Sequence, residues 1–327
     1  MSTRIPTTQE DQRGHAASWL RALRGLRRER GGDGIAGYLF IAPAVLLFIV
    51  FNAYPLIRGF AIAFSDYRYL IPGYAPFNGV GNWLEMAHDR LFWSSLGRSF
   101  QFAGLYVALN FALAFLVAVL ITEIRSQREA SLYRAIAYLP VVLPIAIALL
   151  VWKQLLSPQF GYIDYFLRNV LHFAHTPNFL NDPHWTVPVL ATIAAWKAVG
   201  SNVLLLLVGL YGISHELYEA AALDGAGWWR RLWSITVPLL RPSFTIIFVL
   251  AAGVLGAAEE SLIFFGITTS DAGVQGSGRL IGRYAYEIAF LQGDLRWGYA
   301  AAINLTVGLI SMLISGVIFR ALRSGRI

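Results

Sequence analysis

The sequence predicts an all-α integral membrane protein with six transmembrane helices and both termini in the cytoplasm. Three observations carry that prediction. The 327 residues are 57% hydrophobic, with a mean hydropathy of +0.55, and only 14% are charged. A typical soluble domain carries about 25% charge, so this much apolar surface needs lipid to cover it. Six windows are apolar over the roughly 20 residues that a bilayer core requires. Arginines gather in alternate connections, and such an excess of positive charge marks the cytoplasmic side.

Residues 1–33 form a basic cytoplasmic segment that holds Arg4, Arg13, Arg21, Arg24, Arg27, Arg28 and Arg30. It has no apolar stretch of the kind a cleavable secretory signal needs. Within it, AASWLRALRGLRRER (16–30) puts Trp19, Leu20, Leu23 and Leu26 on one helical face with arginines opposite. That spacing reads as an interfacial helix on anionic lipid, against the plainer alternative of a disordered basic tail. Residues 34–327 form the six-span transmembrane domain. Its spans fall at about 36–57, 99–122, 135–156, 186–213, 243–266 and 298–322. Pro43, Pro140 and Pro144 sit inside these helices, where neighbouring helices can satisfy the freed carbonyls.

The link 123–134 holds Arg125, Arg128 and Arg134. The connection before the fifth span holds Arg230, Arg231 and Arg241, and the tail holds Arg320, Arg323 and Arg326. Together with the N-terminal segment, these regions lie on one side of a six-span chain, which the charge rule assigns to the cytoplasm. The opposite connections, about 58–98, 157–185 and 267–297, are long and rich in Trp, Tyr, Phe, Pro and Gly. They read as ordered caps with short helices. The net charge of +7 thus fits membrane topology better than nucleic-acid binding. Cysteine is absent, which excludes disulfides and Cys-ligated metals.

The connection at about 214–242 is no plain loop. GISHELYEAAALDG has alanine-rich helix propensity, with Glu216 and Glu219 in its opening turns, where they favour the helix dipole. Gly225 and Gly227 then allow a sharp turn, and Asp224 is placed to cap or brace it. Trp228, Leu232 and Ile235 recur at helical spacing with Arg230, Arg231 and Ser234 on another face. Pro238 and Pro242 close this second helix. A rigid helix-turn-helix with exposed apolar residues reads as a docking surface.

The stretch EAAALDGAGWWRRLWSITVPLLRP resembles the EAA motif of inner-membrane permease subunits of ABC importers. Glu219, Ala220, Ala221, Asp224, Gly225 and Ala226 stand at its matching places, followed by Ile235, Pro238, Leu239, Leu240 and Pro242. YLFIAPAVLLFIVFNAYPL, LPVVLPIAIALLVWKQLLSPQFGYIDYFL, WKAVGSNVLLLLVGLYGI and WGYAAAINL are similar to the first, third, fourth and last spans of the same family. These patterns resemble most the maltose, oligosaccharide and glycerol 3-phosphate type. One departure is TTSDAGVQGSG (268–278), where members often carry T-x-G-G-P.

The resemblance implies the type I ABC importer permease fold in a bacterial or archaeal inner membrane. It implies that this chain is half of a heterodimeric pore beside a second permease subunit. Two ATPase subunits bind ATP and Mg and grip the EAA loop, and an extracytoplasmic solute-binding protein delivers a carbohydrate-type cargo. The coupling residues it marks are Glu219, Ala220, Ala221, Asp224, Gly225 and Ala226. The chain itself is expected to bind no cofactor or nucleic acid and to catalyse nothing. A P-loop needs G-K-[ST], and the only lysines, Lys153 and Lys197, are followed by Gln154 and Ala198.

Charges inside a membrane cost about 2.5–3.5 kcal/mol on insertion scales, so intramembrane ionisable residues point to function. The fourth span contains Lys197, Ser201 and Asn202, and the fifth contains Glu259 and Glu260. In the maltose-type family these spans line the cargo site. Matching from the EAA motif places Ala198, Ser201, Gly253, Ala257 and Glu260 at lining positions, with Asn202 and Glu259 beside them. Gly253, Ala257 and Glu260 recur at i, i+4 and i+7 and are expected to share a helical face. The glutamates can contact cargo, pair structurally with Lys197, or sit at a subunit interface. Two rival functions stand beside the importer. One is an ion-coupled secondary transporter, which would show internal repeats and paired broken spans, and neither is evident. The other is a membrane-embedded enzyme, which would want a cluster of His, Asp or Ser within the spans.

Overall fold

The computed structural model describes residues 37–71, 73–158, 160–173, 176–179, 182–257, 259–266 and 272–323. The helix expected at 16–30 lies outside them. The described residues form helices and turns, with an isolated β-bridge between Ser65 and Phe77. Residues up to Gly59 and residues from Phe60 onward form two compact units. The first span is α1 (Gly37–Ala63). It contains a π-turn at Ile49–Ala53, closed by the Tyr54 N–H on the Ile49 carbonyl. Pro55 follows directly. A proline ring crowds the carbonyl four residues earlier, and the widened turn gives that carbonyl room.

In the second unit, α2 (Gly81–His88) leads to α3 (Arg90–Thr122), α4 (Gln127–Val142) and α5 (Ile145–Leu155). Then come α6 (Tyr162–Asn169), α7 (Pro183–Tyr211), α8 (His215–Leu223), α9 (Trp228–Leu239) and α10 (Arg241–Gly256). The chain ends with α11 (Glu259–Phe265), α12 (Ile281–Phe290) and α13 (Trp297–Arg323). Four helices (α1, α3, α7 and α13) are long and apolar enough to cross a membrane alone. The span count reaches six if each of two bent pairs is one span.

Those bent pairs correct the sequence reading. The third span is not one helix: α4 and α5 meet at 95°. Leu143 before Pro144 is extended (ψ 132°), because a proline disfavours helical geometry in the residue before it. Pro144 therefore ends the helix, whereas Pro140 is tolerated within α4. The pair α9 and α10 bends by 63° at Leu240. Pro238 does not close α9. It sits inside that helix, after a second π-turn at Leu232–Thr236 of the same kind as that before Pro55. Broken helices are thus present where none was expected. The three long connections do form caps with short helices, α2, α6 and α12.

The core is built on α3 against α7. Small or short residues on α3 (Asn110, Ala114, Ala118) face Val199, Val203, Leu206 and Leu210 of α7. Lipid is as apolar as these side chains, so close packing and hydrogen bonds hold such a seam. The Asn110 amide donates to the Ala195 carbonyl at 2.8 Å and accepts from the Asn202 amide. A Cβ on Gly200 would lie 2.5 Å from the Ala137 carbonyl oxygen, so only glycine allows α4 to cross α7 there. The cap at the Arg90 end of α3 packs Met86, Phe92 and Leu96 against Ile281, Tyr284, Ile288 and Ile303.

Candidate functional site

The loop between α7 and α10 is built as the sequence suggests, and its turn is tighter than spacing alone could show. Helix α8 ends in two reciprocal hydrogen bonds. The Ala226 N–H donates to the Ala221 carbonyl at 2.8 Å, and the Gly225 N–H donates to Ala222 at 3.0 Å. This pattern needs a left-handed residue just past the helix, and Gly225 has φ +77°. Asp224 is the last half-helical residue and leaves the turn to the backbone. Two side-chain ties hold the loop in place. Tyr218 and Thr236 share a hydroxyl–hydroxyl bond of 2.9 Å between α8 and α9. The Trp228 indole N–H donates to Glu123, at the end of α3, at 2.8 Å. Glu219 bonds His215 one turn earlier at 3.0 Å.

The loop exposes large apolar side chains among its charged ones. Leu223 is 91% exposed, and Leu217, Trp229 and Trp233 are also exposed. Glu219, Ala220, Asp224 and Gly225 are exposed, with Ala221 and Ala226 half-buried behind them. The six residues expected to couple therefore fall together on one short helix and its turn.

The expected lining set is only partly assembled. On α7, Ser201 is exposed and Ala198 half-buried, three residues apart on one face. That face continues as an exposed row through Leu204, Val208 and Tyr211. Asn202 points elsewhere: its amide is bound to Asn110 in the α3–α7 seam, which makes it a packing residue. The expected common face of Gly253, Ala257 and Glu260 does not exist, because the helix breaks between them. Gly253 lies in a 3-10 turn, and Ala257 is extended (ψ 135°). Glu260 begins again on α11, half-buried. Of Glu259 only the backbone is described. Among the described residues no ion pair includes Lys197.

Sequence reasoning missed a polar cluster at the opposite end of α3. Glu287, fully buried, accepts from Arg279 at 2.7 Å and from Arg283, also fully buried, at 2.8 Å. The Arg283/Glu287 spacing of i, i+4 on α12 was its available signal. Asp89 caps α3, accepting from the backbone of Leu91 (2.8 Å) and Phe92 (3.2 Å) and from the Tyr299 (2.7 Å) and Tyr284 hydroxyls. Burial pushes the Asp89 carboxyl up, but the hydrogen bonds from Tyr284, Tyr299, Phe92 and Leu91 outweigh it and hold it below the usual range.

Comparison with known proteins decides the family. Residues 112–324 match the model of the binding-protein-dependent transport system inner membrane component. The chain belongs to this family, the permease subunits of ABC transporters. A lactose transport system permease protein of Rhizobium radiobacter is 26% identical, over 88% of this chain and 94% of that one. A diacetylchitobiose uptake system permease protein of Streptomyces coelicolor is 28% identical, over 98% and 91%. A trehalose/maltose transport system permease protein of Thermococcus litoralis is 30% identical, over 75% and 86%. The fold matches the crystal structure of a bacterial ABC transporter that imports the acidic polysaccharide alginate. The TM-score is 0.76 at 22% identity, over 94% of this chain and all of that one. A crystal structure of bacterial alginate ABC transporter in complex with its alginate pentasaccharide-bound periplasmic protein gives a TM-score of 0.74 at 23% identity, over 91% and 96%. The architecture is thus that of an inner-membrane, multi-pass, non-catalytic ABC permease subunit.

Proposed function

We propose that this chain forms half of the pore of an ATP-driven importer for a carbohydrate-type solute. A second permease subunit completes the pore, and an extracytoplasmic binding protein delivers the solute. Both termini and the loop from Ser214 to Pro242 face the cytoplasm, where two ATPase subunits bind ATP and Mg and grip α8. The loop geometry carries the coupling reading. Leu223, Trp229 and Trp233 stand exposed on a segment fixed by the Gly225 turn and by the Tyr218 and Trp228 ties. A stiff segment transmits a partner's displacement to the spans, whereas a slack one would absorb it. The sugar assignment is supported by near full-length similarity to permeases named for lactose, diacetylchitobiose and trehalose/maltose.

The cargo path runs along the exposed face of α7 at Ala198 and Ser201, with Glu260, Gly253 and Ala257 contributed around the break between α10 and α11. Carboxylates and hydroxyls there suit sugar hydroxyls, which both donate and accept. The test is co-expression with the ATPase and partner permease. Leu223→Arg should abolish co-purification of the ATPase while this chain still reaches the membrane. Reconstituted vesicles should take up labelled disaccharide only with ATP inside. An unchanged complex in Leu223→Arg would refute the docking face.

A further inference from the structure

A cavity of about 450 Å³ lies between the coupling loop and the ends of the spans. One wall is the end of α3 and of α7, including Glu123 and Tyr211. The other is the loop, including Trp228, Arg231, Tyr218 and Thr236. Its charges are arranged unusually. Glu123 and Arg231 both line it, yet among the described residues no ion pair joins them. Glu123 takes the Trp228 indole N–H instead. The Arg231 Nε is buried with no hydrogen-bond partner. That nitrogen is closed off from the cavity as well, so it is through its other atoms that Arg231 lines the space.

The lining chooses the class of ligand. A small anion would satisfy Arg231 but meet the Glu123 carboxylate, and a cation would meet Arg231. A neutral polyol meets neither objection, because its hydroxyls donate to a carboxylate and accept from a guanidinium. Trp228 adds an aromatic wall. The volume sits at the small end of the range for ligand pockets, about 300–1,000 Å³. The exposed row Ser201, Leu204, Val208, Tyr211 on α7 leads from the cargo position to this cavity, since Tyr211 lines it.

We propose that this cavity is a saccharide site at the exit of the path, where a neutral mono- or disaccharide bridges Glu123 and Arg231. The inference rests on the importer reading above. A bound sugar would tie the coupling loop to the span ends. It would favour the loop position seen here over any other position the cycle requires, by as much as its affinities for the two differ. Sugar accumulating on the loop side therefore slows ATP turnover.

The test uses the whole complex, with its partner permease and ATPases, in nanodiscs without binding protein. Glucose, lactose, maltose and N,N′-diacetylchitobiose are titrated to about 50 mM, where even a weak millimolar site would saturate. Tryptophan fluorescence and ATP hydrolysis are followed together. At least one sugar should saturate and slow hydrolysis in parallel. Glu123→Gln and Arg231→Gln should each weaken that binding about tenfold or more, the loss expected for a hydrogen bond to a charged group. Glu123→Asp and Arg231→Lys serve if either variant fails to assemble. The proposal is overturned if no sugar saturates or if the variants bind as the parent does. It is equally overturned if inorganic phosphate competes better than sugar, or if only exchange of phosphatidylethanolamine for phosphatidylglycerol moves the signal. An assembled, ATP-hydrolysing complex that ignores sugar refutes this inference alone. A chain that brings down no ATPase refutes the coupling reading instead.

Discussion

The two ends of the molecule handle their polar and apolar groups in opposite ways. The cap at the Asp89 end closes on itself. Arg68 pairs with Asp66 (2.9 Å) and Asp294 (2.5 Å), Arg296 forks onto Glu85 (2.6 and 2.7 Å), and Glu287 and Asp89 gather arginines and tyrosines. The Arg68–Asp294, Arg296–Glu85 and Asp89–tyrosine links join segments far apart in sequence, so the cap holds itself together. The loop at the other end has few such ties, and it leaves Leu223, Trp229 and Trp233 in the open. A surface with no internal use for its apolar groups is finished by a partner. The contrast separates stability from coupling: substitutions in the cap should cost fold, and substitutions in the loop should cost transmission.

The largest expected effect is Glu287→Ala. It removes the carboxylate shared by buried Arg283 and Arg279, and breaking such a pair costs about 3–5 kcal/mol. Thermal melting in detergent should show a large loss or no folded protein. Next is Asp89→Ala, which deprives two backbone N–H groups and two tyrosine hydroxyls of a charged acceptor and should cost about 1.5–3 kcal/mol. The Asp89 carboxyl is held below its ordinary value of about 3.9. Its contribution is therefore complete above that value and fades as the pH falls through the native value. The melting temperature of the parent should drop more steeply on acidification than that of Asp89→Asn.

Gly225→Val comes third. A β-branched residue at φ +77° strains the turn by about 1–2 kcal/mol. Transport should fall about five- to thirtyfold through a shifted loop population, while the melting temperature hardly moves. A large drop in melting with coupling intact would erase the division between cap and loop. The smallest effect belongs to Glu85→Gln, which weakens a partly exposed ion pair worth about 1 kcal/mol or less. It should leave both transport and melting within error.

Much of this was legible in advance. Helix α8 and its turn follow from short-range chemistry: alanines for the helix, Gly225 for the left-handed residue. The four long spans follow from apolar length. The breaks were harder. Pro144 and Pro238 look alike in sequence, yet one ends a helix and the other sits within one, because the π-turn at Leu232–Thr236 absorbs the second. Helical spacing placed Gly253, Ala257 and Glu260 on one face; no proline marks the break at Ala257, and the local signal was the weaker one of Gly253 and Gly256. Asn202 looked like a lining residue because its partner, Asn110, is 92 positions away. Asp89 escaped notice for the same reason, since Tyr284 and Tyr299 lie 195 and 210 positions on; Glu287 did not, because its i, i+4 partner Arg283 was in plain view and only its burial was hidden.

On the proposed reading the segment around Leu223 is a cytoplasmic handle held by an ATPase. The chain has no cysteine, so a single Leu223→Cys gives an unambiguous reporter. Labelling with a membrane-impermeant maleimide, before and after permeabilising cells, reads its side directly. No labelling is expected until the membrane is opened, and then protection when the ATPase subunits are present. Labelling of intact cells from outside, or equal labelling with and without the ATPase, would contradict it.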